Sequence, residues 1–307
     1  MGTPDERLRS AEQALWRCVG ARPTERYLDL DMPRLRVRVQ EIGAGPPALF
    51  VHGAMTGGSS FATLAAKLPG LRCILLDRPG CVLSDPLPLS GPDFRTEAVQ
   101  VLSSVLDALG LHRAILVGNS LGALWSTWLA LAQPSRVTRL MLLGPSVGFP
   151  GVRPPIFMRL LAAPGLGDFM ISRMRPTRES LRGVFEEMGH ASSLANGRIP
   201  NEMFEWGVRV QAETPTAKNE LQNIRRAVGF FGVRAWTKLS DDALRSIVPP
   251  TLIVSGETDT HGGPALARRV AALVPHAMLQ MVPSGHLPWL DDPAFVAETM
   301  LRVAAST

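Results

Sequence analysis

Two kinds of apolar pattern divide this chain. Near the N-terminus "RYLDLD" (26–31) and "LRVRVQEIG" (35–43) alternate apolar with polar residues, the spacing of half-exposed strands. Beyond them come short continuous apolar runs: "ALFVHG" (48–53), "CILLDRPG" (73–80), "AILVGNS" (114–120), "LMLLGPS" (140–146), "TLIVSGE" (251–257) and "AMLQMV" (277–282). Most of these close on glycine, proline or a small polar residue. A strand buried on both faces reads this way, and parallel sheets bury both faces. The stretches between the runs have helical spacing. Residues 94–110 put Val99, Val101, Leu102, Val105, Leu106 and Leu109 near one side, with Gly110 as a stop. Residues 4–19, 121–133, 263–274 and 293–305 also read as helices. Alternating strand and helix predicts an α/β protein around a mostly parallel sheet, with helices on both faces.

One segment breaks the alternation. Residues 147–238 show no strand of this type and read as short helices interrupted at Pro154-Pro155, Pro164, Pro176, Pro200 and Pro215. Five of the twelve methionines lie there, with Phe157, Phe169, Phe185, Phe204, Trp206, Phe230, Phe231 and Trp236. The expected organisation is a core in two parts, 1–146 and 239–307, with a helical cap at 147–238.

Charge sharpens the division. The cap holds 11 Arg and 2 Lys against 1 Asp and 7 Glu, a balance of +5, while the remainder is neutral with 19 of each sign. The basicity is dispersed, without the basic stripe and supporting motif that nucleic-acid binding needs. Cys18, Cys73 and Cys81 are too few and unpaired for a disulfide framework or a zinc site. The N-terminus has no apolar h-region and no stretch approaches the ~20 apolar residues of a membrane span. A cytoplasmic protein, monomer or homodimer, is the expectation.

The chemistry starts at "LVGNSLGAL" (116–124). Ser120 stands between Gly118 and Gly122, after an apolar strand and before a helix. A sharp strand-to-helix turn crowds the backbone, so the positions flanking a nucleophile must be small. A lone hydroxyl is a poor nucleophile and needs a base, which needs an orienting group. Of the six histidines, His286 in "VPSGHLPWLDDP" follows the last strand and shares the sheet end of Ser120. His190 falls in the cap, while His112 and His276 sit at the wrong end. The loop after 251–257 offers Asp259, deeper in the loop, with Glu257 and His261 as alternatives. Backbone N–H donors for an oxyanion are expected at Leu121 and Ala54, with Met55 second, and His52 is read as shaping that loop.

"HGAMTGG", "DRPGCVLSD", "GNSLGA", "GETD" and "SGHLPWLDDP", in this order, resemble the motif set of the α/β-hydrolase superfamily. The resemblance implies an eight-stranded sheet with a lid inserted after the sixth strand. It implies Ser120, Asp259 and His286 as the catalytic set, with the N–H groups of Ala54 and Leu121 as oxyanion donors. One departure is Val82, where many members carry a second glycine. Relatives that open epoxides or remove halogen use aspartate where this chain has Ser120, so acyl transfer is expected, without metal or organic cofactor. The partner is then a small to medium apolar ester, with Met55, Met158, Phe204 and Trp206 as candidate contacts. Two other readings stand beside it. "GNSLGA" and "LMLLGPSVG" also look like carbon–carbon hydrolases of ring-fission diketones, although "HGAMTGG" lacks their longer glycine-proline run. A receptor or biosynthetic cyclase could also use this scaffold without hydrolysis.

Overall fold

The computed structural model describes residues 2–88 and 93–306. Ten strands form: β1 (Thr24–Asp31), β2 (Arg34–Ile42), β3 (Pro47–Val51), β4 (Arg72–Leu76), β5 (Ala114–Asn119), β6 (Val137–Leu143), β7 (Val228–Gly229), β8 (Gly232–Val233), β9 (Thr251–Gly256) and β10 (Met278–Val282). Eight of them make one sheet in the order β1-β2-β4-β3-β5-β6-β9-β10. The pairs β1·β2 and β2·β4 are antiparallel, and every later pair in that sheet is parallel.

The two apolar patterns map onto this topology. The alternating segments are β1 and β2 at one edge, where β1 keeps one face exposed. The continuous runs are the central strands, and β5 and β9 are buried along their whole length. Successive residues of β3 feed opposite faces. Leu49 and Val51 join the cluster under helices 94–108, 121–132 and 263–273, while Ala48 and Phe50 join the one under helices 4–18 and 293–305.

The ends of the runs differ from expectation in an instructive way. β4 stops at Leu76, because Asp77–Asp85 folds into a turn with Gly80 at φ 82°. β6 starts three residues early, at Val137, and leaves Gly144 to Ser146 as a loop. Between β6 and β9 the chain forms six α-helices within 156–227, and a two-residue hairpin of β7 and β8 that the pattern did not announce. The helices at 156, 201 and 216 begin directly after Pro155, Pro200 and Pro215. Proline ends the preceding segment by removing an N–H, and fits where the next helix needs none. Among the described residues no helix is long and apolar enough to cross a membrane.

Candidate active site

Ser120 joins β5 to helix 121–132 at φ 51° and ψ −116°, a conformation non-glycine residues avoid. The turn holds because its flanks are bare. A Cβ on Gly122 would lie 1.9 Å from the Val51 carbonyl oxygen, and one on Gly118 would lie 2.5 Å from the Gly122 carbonyl oxygen. Asn119 Nδ2 donates to the Leu143 carbonyl at 2.8 Å, and Ser120 N to the Gly144 carbonyl at 3.3 Å, pinning the turn to the end of β6.

His286 and Asp259 meet as the loop positions suggested. His286 Nδ1 lies 3.1 Å from each Asp259 carboxylate oxygen, and both residues are buried. Burial alone would raise the Asp259 pKa. The imidazole and the N–H groups of His261 and Gly262 outweigh it and bring it down to about 2. Glu257 is exposed and its place in the loop keeps it out of this pair. The hydroxyl does not complete the relay: Ser120 Oγ is hydrogen-bonded to Ser146 Oγ at 3.0 Å, not to the imidazole. Ser146 lies in the loop that follows the early end of β6. Catalytic hydrogen bonds of free enzymes are often long or diverted and tighten with substrate.

His261 stacks on His286 with ring centroids 4.7 Å apart and planes 25° from parallel. Burial, aided by the neighbouring His286, lowers its pKa to about 4. Asp259, His261 and His286 place ligand atoms within 4.8 Å of one another. Stacked rings direct their nitrogen lone pairs side by side rather than toward one point, and both Asp259 oxygens already face His286 Nδ1. This trio fits a hydrogen-bonded relay better than a metal.

The loop after β3 is held from outside. His52 uses both ring nitrogens, Nδ1 toward the Gly53 carbonyl at 2.7 Å and Nε2 as acceptor from Arg78 N at 2.9 Å. Burial and the Arg78 charge hold its pKa well below the ordinary histidine value, so His52 is a neutral strut rather than a base. Arg78 donates to the carbonyls of His52 and Gly53, at 2.9 and 2.8 Å, and to Glu220 at 2.6 Å. Both charged partners are fully buried. Glu220 also accepts the Met55 N–H at 3.0 Å, which removes Met55 from the oxyanion donors. Among the described residues no tertiary backbone hydrogen bond occupies the N–H of Ala54 or Leu121.

These groups open onto a cavity of about 520 Å³. Its lining includes Ala54, Met55, Ser120, Leu121, Met158, Trp206, His261 and His286, and its charged members are Arg175 and Glu187. Phe204 was expected there and is not. It is buried against Phe185, centroids 5.3 Å apart, and that ring lines the cavity in its place.

Sequence reasoning missed a second hydrogen-bonded cluster behind His286. His190 Nδ1 lies 2.7 Å from Asp291 Oδ2, and His190 Nε2 accepts the Leu287 N–H at 3.1 Å. The same turn offers the Met188 carbonyl to His286 N at 2.9 Å, the Gly189 carbonyl to the Thr258 hydroxyl at 2.9 Å and the Glu187 carbonyl to the Thr260 hydroxyl at 2.7 Å. Residues 187–190 therefore bind the Asp259 loop and the His286 loop together. The "EEMGH" stretch carries one local hint, a histidine after glycine, and Gly189 indeed takes φ 94°.

Comparison with known proteins places the fold. Residues 46–293 match the family model described as alpha/beta hydrolase fold. A 2-hydroxy-6-oxononadienedioate/2-hydroxy-6-oxononatrienedioate hydrolase of Burkholderia vietnamiensis is 37% identical over 135 residues, which is 41% of this chain and 46% of that protein. The chain thus spans about half the length of that relative. A protein of the same description from Cupriavidus pinatubonensis is 25% identical over 259 residues, 80% of this chain and 82% of the relative. The solved structure of naproxen esterase from Bacillus subtilis superimposes with a TM-score of 0.71 at 22% identity, covering 99% of both chains, a likeness of fold.

Proposed function

The chain belongs to the alpha/beta hydrolase fold family, and from that premise we propose that it is a serine hydrolase. In this reading it cleaves a neutral carboxylic ester of small to medium size, with residues 147–238 as the lid. The observation that supports this best is the imidazole of His286. One ring nitrogen is tied to Asp259, while no hydrogen bond among the described residues engages the other, and the ring lines the cavity that Ser120 also lines.

Substrate entering that cavity displaces Ser120 Oγ from Ser146 toward His286 Nε2. The imidazole takes the hydroxyl proton as Oγ attacks the carbonyl carbon. The developing oxyanion accepts the N–H groups of Ala54 and Leu121; losing one such donor commonly costs about 3 kcal/mol of transition-state stabilisation. The imidazolium, held by Asp259, protonates the departing alcohol, and a water deprotonated by His286 then releases the acid.

Carbon–carbon cleavage is the second reading, and the dioate hydrolases among the relatives favour it. The cavity favours the ester. A dioate carries two carboxylates, whereas the charged lining residues here, Arg175 and Glu187, are both exposed. A carboxylate buried without a partner is costly. Fluorophosphonate labelling of Ser120, followed by intact mass, tests the nucleophile. p-Nitrophenyl esters of graded chain length then separate the readings. Turnover of short and medium chains supports the ester reading; cleavage of a vinylogous diketone acid with no ester turnover replaces it by the second. No labelling at all removes both and leaves a scaffold without hydrolysis.

A further inference from the structure

Twelve large apolar side chains are left exposed among the described residues, and eight of them fall within 156–236. Seven lie on one connected set of elements: Ile156 and Phe157 on helix 156–162, Leu166 and Phe169 on helix 166–173, Phe230 and Phe231 at the β7–β8 turn, and Trp236 just beyond. Hydrogen bonds join these elements. Arg159 Nε donates to the Phe230 carbonyl at 2.7 Å, Arg225 Nη2 to Asp168 at 2.6 Å, and Trp236 Nε1 to the Arg226 carbonyl at 3.0 Å. Phe231 is 96% exposed and Ile156 71%, far beyond the isolated apolar residues that any surface carries.

The charge around this face is one-sided. Residues 151–175 and 225–238 hold seven arginines and one lysine against a single acidic residue, Asp168; Asp168 is paired with Arg225 and Glu97 with Arg226, which leaves five arginines and the lysine in excess. Arginines lie over the exposed rings: Arg159 over Phe230 at 5.8 Å, Arg173 over Phe169 at 5.2 Å and Arg234 over Trp236 at 5.2 Å. The acidic residues of the inserted segment other than Asp168 fall within 179–220. The face also runs into the cavity mouth, because Phe157 and Arg175 are both exposed and both line the cavity.

We infer that this arginine-framed aromatic face docks on an anionic lipid surface. Aromatic and aliphatic tips enter the boundary between headgroups and acyl chains, and the guanidinium groups pair with lipid phosphates. The arginines stacked on rings suit that boundary, since each combines an apolar plane with a fixed charge. Docking in this pose turns the cavity mouth toward the bilayer. The inference stands apart from the proposed reaction, because adsorption is read without turnover.

The test uses the full chain and vesicles of phosphatidylcholine, alone or mixed with equal phosphatidylglycerol, in a flotation assay at low and high salt. Wild type floats with the anionic vesicles at low salt, and added salt weakens this. Phe231→Ser combined with Trp236→Ser lowers the partition coefficient by about ten-fold or more, with the circular dichroism spectrum unchanged. Absence of flotation at low salt overturns the inference. So does flotation that the double substitution leaves intact, which would mark adsorption by net charge alone. Sedimentation showing a dimer that the double substitution dissociates overturns it too, and assigns the face to a second copy of the chain.

Discussion

Ser120 shows what a single residue costs here. Its backbone stands at φ 51° and ψ −116°, and such strain is of order 1–3 kcal/mol at a non-glycine position. Ser120→Gly should therefore raise stability by about 1 kcal/mol, read by urea denaturation, while turnover disappears. Val82 tells a similar story at φ 53°. The turn takes a positive φ where the resemblance led one to expect glycine, although valine occupies the place, and Val82 N is anchored to the Thr216 hydroxyl at 2.8 Å. The acid assignment is tested by comparing two substitutions. Asp259→Asn should lower kcat by about 10⁴-fold and Glu257→Gln should leave it nearly unchanged; the reverse result would reassign the acid.

The elements that bring these residues together are held by buried polar pairs from the segment between β6 and β9. Glu220 on helix 216–227 neutralises Arg78 and holds the loop that carries Ala54. Glu220→Ala leaves a buried guanidinium unpaired and should cost about 3–5 kcal/mol, visible as a lowered thermal midpoint. The 187–190 turn plays the matching part for the loops that carry Asp259 and His286. His190→Ala removes its bonds to Asp291 and Leu287, and should lower kcat about ten-fold or more while KM changes little. A fall in stability with kcat retained would reduce His190 to a strut. None of this pairing has a sequence signature. Arg78 and Glu220 lie 142 positions apart and His190 and Asp291 lie 101 apart, and each looks locally like an ordinary surface charge or loop histidine.

For the molecule as a whole, the buried titrating groups set a direction for acid unfolding. His261 has a folded pKa of about 4, below its ordinary 6.5, so the unfolded chain takes up the proton first as pH falls. Its contribution is complete above 6.5 and is lost on the way down to about 4, a difference on the order of 3 kcal/mol. His52 is depressed in the same sense. Asp259 acts lower: its carboxylate, at about 2 against 3.8 unfolded, stabilises the fold above that window and ceases to as pH falls through about 2. Urea midpoints at pH 7 and pH 4.5 should show a clear loss in wild type and a smaller one in His261→Phe, which keeps an aromatic ring over His286 without titrating.

By itself the sequence determined the order of strands and helices, the elbow at Ser120 and the two loops that carry Asp259 and His286. These follow from local rules: burial on both faces gives continuous apolar runs, a crowded turn requires glycine neighbours, and loops after parallel strands gather at one end of a sheet. Tertiary structure alone decided that Ser120 rests on Ser146, that Met55 spends its N–H on Glu220, that Phe204 turns toward Phe185, and that a turn at 187–190 clasps both loops. Those outcomes depend on which distant side chains arrive at the same buried point. There an unpartnered polar group is costly enough for pairing to be settled by proximity in space, whatever the spacing along the chain.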